Sequence, residues 1–259
     1  MKFFLIECDK NGVPSNDLGF AVIEAINFHN WFRSGVSDRE YDWIQIKDMD
    51  FSQYLNDNFI PVGNIEFMEK FFHEFKNIHP RAINIPKELH KKEYLERNIE
   101  TVKIGNIDRT ISLGSNKFVK NALKIKGASG ITDSIDQYFL LGERENYIDT
   151  ERYYKEFLVS DIIDISSEWR CFVHNGKLLD AKQYSGDLFI VPDINVINSM
   201  ISDYSSSPGA YTLDVAVTKD GKTVLIECHN FWSVGLYGFN CGDKLLNMVY
   251  SAFKWELKH

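Results

Sequence analysis

The stretch "YTLDVAVTKDGKTVLIECHNFWSVGLYG", residues 211–238, decides the fold. Asp220-Gly221 between two apolar runs is a strong hairpin signal, because a two-residue type I′ loop needs positive φ at both positions. With that loop, Val217 faces Val224, Val215 faces Ile226, and Asp214 meets Glu227. Alternation then puts Asp214, Ala216, Leu225 and Glu227 on one face, and Val215, Val217, Val224 and Ile226 on the other. Directly opposed residues have Cβ atoms about 4.5–5.5 Å apart, and like charges there repel. A divalent cation bound by the two carboxylates offsets the repulsion. So does an Arg or Lys beside each acid, or protonation of one of them.

Working outward, "EWRCFVHNGKLLDAKQY" (168–184) reads as a second hairpin turning at Asn175-Gly176. Arg170 there faces Ala181 and shares a side with Glu168 and Phe172. An Arg in such company either receives an anion with its two-pronged fork or pairs with Glu168. His229, two residues beyond Glu227, is either a metal ligand on the same face or a packed residue beside Phe231 and Trp232. Upstream, "NKFVKN" (116–121) is a strand ending near Lys120, and "KIKGASG" (124–130) is a loop carrying Lys126 and two glycines. Glycines let backbone N–H groups approach phosphate, and a Lys adds a point charge; a plain surface loop has the same composition. The chain has no Walker A, HExxH, GxSxG or dinucleotide-binding glycine pattern.

The chain has 259 residues, enough for a sizeable core and two domains, and its 44% hydrophobic and 25% charged content is ordinary for a globular protein. A formal charge of −8 argues against general binding to nucleic acid or to an anionic membrane. Residues 111–132 nevertheless carry Lys117, Lys120, Lys124 and Lys126 and no acid, a local site for an anion or a charged strand edge. Four scattered cysteines form no disulfide framework, and the opening "MKFFLIECDK" is too short an apolar run for a signal peptide, so a cytoplasmic protein is expected. Strands at 2–7, 41–49 and 59–63 alternate with helices at 17–32 and 65–76, the latter capped by Asn64. This is a small α/β unit. In helix 17–32 the apolar stripe runs through Phe20, Ile23, Ile26 and Trp31. Further helices are expected at 194–204 and 242–257, the last with Leu245, Leu246, Val249, Phe253 and Leu257 on its apolar side.

Taken in order from about Lys117 to Tyr237, these pieces resemble an ATP-grasp domain. "FVKNALKIKGASG" resembles the phosphate-binding lysine strand and glycine loop, and "YYKEFLVSD" the linker where adenine stacks and bonds to backbone. "EWRCFVHNGKLLDAKQYSG" resembles the strand pair supplying a phosphate-facing arginine, and residues 211–238 the magnesium hairpin. The wording "SEWRCFV" and "FWSVGLYG" is closest to the branch with relocated nucleotide-binding lysines, common in bacteria and their phages. "FIPVGNIEFMEKFF" resembles the domain that precedes ATP-grasp there. The resemblance implies an α+β fold: an ATP-grasp domain, two α+β subdomains clasping ATP, over residues 106–259 (106–155 with the lysines and glycine loop, 156–259 with the metal ligands). A small α/β domain over 1–105 precedes it.

The resemblance further implies an ATP- and Mg²⁺-dependent ligase joining a small-molecule or peptide carboxylate to an amine through an acyl phosphate. The implied alternatives are a phosphotransferase on the same fold or a nucleotide-binding module without catalysis. Lys120 and Lys126 would hold phosphates, with Lys124 in reserve. Glu156, Phe157, Leu158 and Val159 would border adenine, Arg170 would stabilise the transferring phosphoryl, and Asp214 and Glu227 would bind Mg²⁺. The family has Glu-x-Asn at the metal; here His229 stands two residues after Glu227, so either His229 or Asn230 takes that place.

Overall fold

A computed structural model describes residues 1–33, 40–103, 112–125, 129–134, 156–232 and 234–259. Its first layer is a parallel sheet of β1 (Lys2–Glu7), β2 (Tyr41–Ile46) and β3 (Phe59–Val62), in the order β2-β1-β3. Helix α1 (Asp17–Phe32) connects β1 to β2, and α2 (Ile65–Lys76) follows β3. Asn16 caps α1 by accepting from the Gly19 N–H at 2.8 Å. Asn64 does sit before α2, but its side chain makes no cap hydrogen bond; its backbone N–H donates to Glu7 instead.

The expected stripe on α1 holds at Ile26, which is buried, and at Ile23, which packs against the core, but fails at its two aromatic residues. The helix buries Leu18, Gly19, Val22, Ala25, Ile26 and His29, while Phe20 and Trp31 are exposed. Those buried positions recur at the i, i+4, i+7, i+8, i+11 spacing of one helical face. Both faces of α1 carry apolar residues, so size alone pointed to the wrong one. The C-terminal helix α5 (Lys244–Glu256) packs with this unit, and its Leu245, Leu246, Val249 and Phe253 are buried as expected. Phe72 of α2 stacks on Phe253 and meets Trp232 edge-on, joining the two ends of the chain in one core.

Two antiparallel sheets form the rest. One has the order β4-β7-β5-β6, from β4 (Ile99–Lys103), β5 (Ser112–Asn121), β6 (Ser129–Ser134) and β7 (Glu156–Ser160). It runs across both boundaries expected from sequence, since β4 precedes residue 105 and β7 follows residue 155. The other has the order β11-β10-β8-β9, from β8 (Ile165–His174), β9 (Lys177–Gly186), β10 (Ala210–Thr218) and β11 (Thr223–Asn230). A short helix α3 (Lys92–Leu95) precedes β4, and α4 (Ile194–Asp203) follows β9. One face of the second sheet, with Cys171, Tyr211, Leu213, Val215 and Leu225, packs on Ile197, Met200 and Ile201 of α4. The opposite face carries the charged residues.

Both hairpins depart from the expected registers. Asn175 and Gly176 have φ +49° and +69°, as a type I′ turn requires. A bulge between Phe172 and Val173 then shifts the pairing, so Arg170 faces Lys182 and Cys171 takes Ala181. In the second hairpin only Gly221 has positive φ (+82°), and the Thr218 N–H donates to the Lys222 carbonyl at 2.9 Å. The loop is therefore Lys219–Gly221, one residue longer than the type I′ turn. Val217 faces Thr223 and Val215 faces Leu225, which puts Leu225 on the apolar face with Val215. A bulge at Ile226 then restores the offset, and Asp214 pairs with Glu227 after all.

Candidate functional site

Pairing across the second sheet aligns Glu227, Asp214, Arg170 and Lys182 in one row, with His229, Thr212, Phe172 and Asp180 in the next. The bulge at Ile226 makes the first row possible. It leaves the Leu225 and Ile226 carbonyls for an outside donor, and Arg97 supplies it: its Nη1 donates to Leu225 O at 2.8 Å and its Nη2 to Ile226 O at 3.4 Å. The same guanidinium donates through Nε to Ser160 Oγ at 3.0 Å, tying the bulge to β7. Burial lowers the Arg97 pKa to about 10.

Arg170 holds Asp214 from both sides of the carboxylate, Nε to Oδ1 at 2.8 Å and Nη2 to Oδ2 at 2.7 Å. Its Nη1 donates to the Gly235 carbonyl at 3.2 Å, and its guanidinium carbon lies 5.2 Å from the Tyr237 ring centroid. The expected alternative partner, Glu168, is instead an acceptor for the Tyr184 hydroxyl. Lys120, carried by β5, reaches across and pairs with Glu227 Oε2. His229 Nε2 lies 2.8 Å from Glu227 Oε1 and 3.6 Å from Asp214 Oδ2.

Burial disfavours charge on all three of these groups, but their neighbours outweigh it. Glu227 is held well below the usual carboxylate range by His229 and Lys120. Asp214 is lowered by Arg170 and His229, and His229 is raised by Glu227 and Asp214. The facing acids therefore persist because bases neutralise each one.

That neutralisation leaves room for a cation. The bidentate Arg170 contact uses one lone pair on each Asp214 oxygen, and a carboxylate offers about four acceptor sites. One oxygen or nitrogen each from Asp214, Glu227 and His229 lies within 4.8 Å of the others. His229 Nε2 is buried, and no hydrogen bond of acceptable geometry engages it. Nε2 of His229, held between two carboxylates, becomes a ligand once its proton is lost, so a divalent cation here would take the place of that proton. Asn230 is turned toward α5: its Nδ2 donates to Glu256 at 2.8 Å and its Oδ1 accepts from the Phe231 N–H.

The remaining expected residues divide by face. Lys120 pairs with Leu158 and Asn121 with Phe157, so Leu158 and Glu156 share the side of Lys120. Phe157 and Val159 are buried on the opposite side. β7 lies between β4 and β5, and its backbone is paired along both edges. Lys124 lies in the turn after β5, its N–H on Asn121 Oδ1 at 3.1 Å. Lys126 lies outside the described residues.

Sequence reasoning missed Arg97 and the segment 81–85. Asn84 bridges to Cys228, whose N–H donates to the Asn84 carbonyl at 2.6 Å, and Asn84 Nδ2 donates to Ala122 O at 2.7 Å. The segment is thereby tied to both antiparallel sheets. It borders a cavity of about 50 Å³ that is also lined by Ile125, Arg170, His229, Trp232 and Gly235. The one local hint was the Asn at position 84, a residue type that tolerates the positive φ (+56°) it adopts there.

Comparison with known proteins agrees with this arrangement. The profile of the ATP-grasp domain, R2K clade family 2, matches residues 94–245. No curated protein matches. Among solved structures, D-alanine–D-alanine ligase from Bacillus anthracis complexed with ATP superposes with TM-score 0.56 at 14% identity, covering 100% of this chain and 99% of that one. L-amino acid ligase from Bacillus licheniformis gives 0.55 at 12% identity, covering 97% and 75%. N5-carboxyaminoimidazole synthetase from Staphylococcus aureus gives 0.54 at 10% identity, covering 96% and 77%. At these identities the likeness establishes the fold.

Proposed function

Since the chain belongs to the ATP-grasp domain family, R2K clade family 2, we propose that it is an ATP-dependent ligase joining a carboxylate to an amine. The carrying observation is the convergence of Lys120, Arg170, Asp214, Glu227 and His229 from two sheets onto one cleft. Asp214, Glu227 and His229 would hold a divalent cation, Mg²⁺ in the reading from sequence. Bound there, it would neutralise phosphate oxygens during transfer.

The chain's own residues do the rest. Lys120 exchanges Glu227 for a phosphate oxygen when nucleotide enters, and Leu158 beside it offers an apolar surface to the base. Arg170, kept in place by Asp214 and Gly235, faces the γ-phosphoryl group as it moves to an oxygen of the acid and ADP departs. The amine nitrogen then attacks the acyl carbon, phosphate leaves, and the extra proton on nitrogen passes to solvent. Positioning and charge neutralisation account for most of the rate in such transfers.

A second reading is a nucleotide-binding module without catalysis. It draws on His229 in place of Asn and on the bases that already hold each acid. Product analysis separates the readings. Incubation with Mg²⁺-ATP and a panel of acids and amines is expected to give ADP, phosphate and an amide in equal amounts. A phosphorylated hydroxyl compound would mark a phosphotransferase instead, and no turnover across the panel would favour the binding module.

A further inference from the structure

We propose that the acid substrate carries a second negative group, and that Arg81 is the residue that binds it. This rests on the ligase reading and specifies its substrate class as a small dicarboxylic acid. The cavity beside Arg170 and His229 is lined by Arg81, Ile83, Ile125, Trp232 and Val234 among others, and no described carboxylate side chain lines it. That is unexpected in a chain of net charge −8.

The other cations of the cleft are already paired: Arg170 with Asp214, Lys120 and His229 with Glu227. Arg81 has no ion pair or hydrogen bond among the described residues, although its backbone is fixed. The Ala82 N–H donates to Leu123 O at 3.3 Å, and Asn84 is bridged to Cys228. The Arg81 side chain is exposed and borders both this cavity and a wider one lined by Glu88 and Glu256, and a guanidinium with an unused fork beside apolar walls suits a carboxylate. Two arginines on one small cavity divide the work: Arg170 serves the carboxyl group that accepts the phosphoryl, and Arg81 holds the distal one. The apolar side chains of Ile83, Ile125, Trp232 and Val234 in the cavity lining suit a short carbon chain between the two carboxyl groups.

Calorimetry with a non-hydrolysable ATP analogue and Mg²⁺ present, titrating succinate or butyrate, tests this. The two acids have four carbons each and differ by one charge. The native protein is expected to bind succinate about tenfold more tightly, the ordinary effect of one charge-assisted contact. Arg81→Met is expected to remove that preference and Arg81→Lys to keep part of it. Equal affinity for the two acids in the native protein would overturn the assignment, as would a preference that survives Arg81→Met. Weaker binding of the ATP analogue by Arg81→Met with acid preference unchanged would assign Arg81 to nucleotide phosphate instead. Failure of the native protein to bind the ATP analogue at all would defeat the ligase reading itself, a separate result.

Discussion

The Arg170–Asp214 pair is the sharpest place to perturb the molecule. Both side chains are nearly buried, at 11% and 3% exposure, and they share two hydrogen bonds of 2.8 and 2.7 Å. Removing either partner leaves the other's charge buried without compensation, at a cost of about 3–5 kcal/mol. For a chain of this size each kcal/mol moves the melting midpoint by about 2–4 °C. Arg170→Met and Asp214→Leu are each expected to lower it by roughly 6–20 °C. The double variant removes both charges, leaving the Gly235 carbonyl without its donor, at about 1 kcal/mol, and His229 with Glu227 but without Asp214. It is expected to recover most of the loss while abolishing ATP-dependent turnover. Urea and thermal unfolding of the four proteins at neutral pH measure this. A double variant that falls by the sum of the two single losses would refute the reasoning, because independent sites add and coupled ones do not.

Arg97 is predicted to matter far beyond its place in a charged run. Arg97→Met leaves the Leu225 and Ile226 carbonyls without donors, at about 1–3 kcal/mol each, and cation affinity should fall with stability because the bulge sets the Asp214–Glu227 pairing; unchanged affinity would contradict this. Glu256 supplies the pH dependence. Burial raises its pKa, opposed by hydrogen bonds from Trp232 and Asn230, so the folded chain holds that proton more firmly than the unfolded chain does. Its contribution is most favourable below the unfolded value of about 4.3 and is lost as pH rises through the raised folded value. Glu256→Gln keeps an oxygen for the Trp232 Nε1–H and should raise the midpoint at pH 8 by about 2–4 °C, the response to ~1 kcal/mol, with a smaller gain at pH 4. Gly186 has φ +81° and its missing Cβ would lie 2.2 Å from the Ser166 carbonyl. Gly186→Ala should therefore unfold at clearly lower denaturant than Gly221→Ala, whose Cβ meets nothing within 4 Å.

Much of this molecule was legible in its sequence, though not always for the right reason. The pairing of Asp214 with Glu227 was read from a two-residue turn. It arises from a longer loop and a compensating bulge at Ile226, and neither leaves a mark in local composition. Asn175-Gly176 did form the turn its residues demand, yet a bulge still moved Arg170 opposite Lys182. Bulges are fixed by partners remote in sequence, here Arg97 for the one at Ile226. On α1 the aromatic residues read as core are exposed, and the buried stripe includes Gly19 and Ala25, whose small size lets the helix lie close to its neighbours, and His29, which packs edge-on against Tyr41. Side-chain direction was the other blind spot: His229 and Asn230 are adjacent in sequence, and only the packed structure shows that one joins the acids while the other turns to Glu256.

A ligase of this kind must take up nucleotide together with a divalent cation at Asp214, Glu227 and His229. Glu227→Gln is the cleanest probe, since Glu227 is more exposed than Asp214, at 25% against 3%, and the substitution keeps its shape. Calorimetric titration of the native chain with a non-hydrolysable ATP analogue should give saturable heat that depends on Mg²⁺. Glu227→Gln should lose that cation dependence while still unfolding in one cooperative transition, at a midpoint lowered because Lys120 and His229 lose their carboxylate partner. No heat from the native chain, or the same cation-dependent heat from both proteins, would contradict the account.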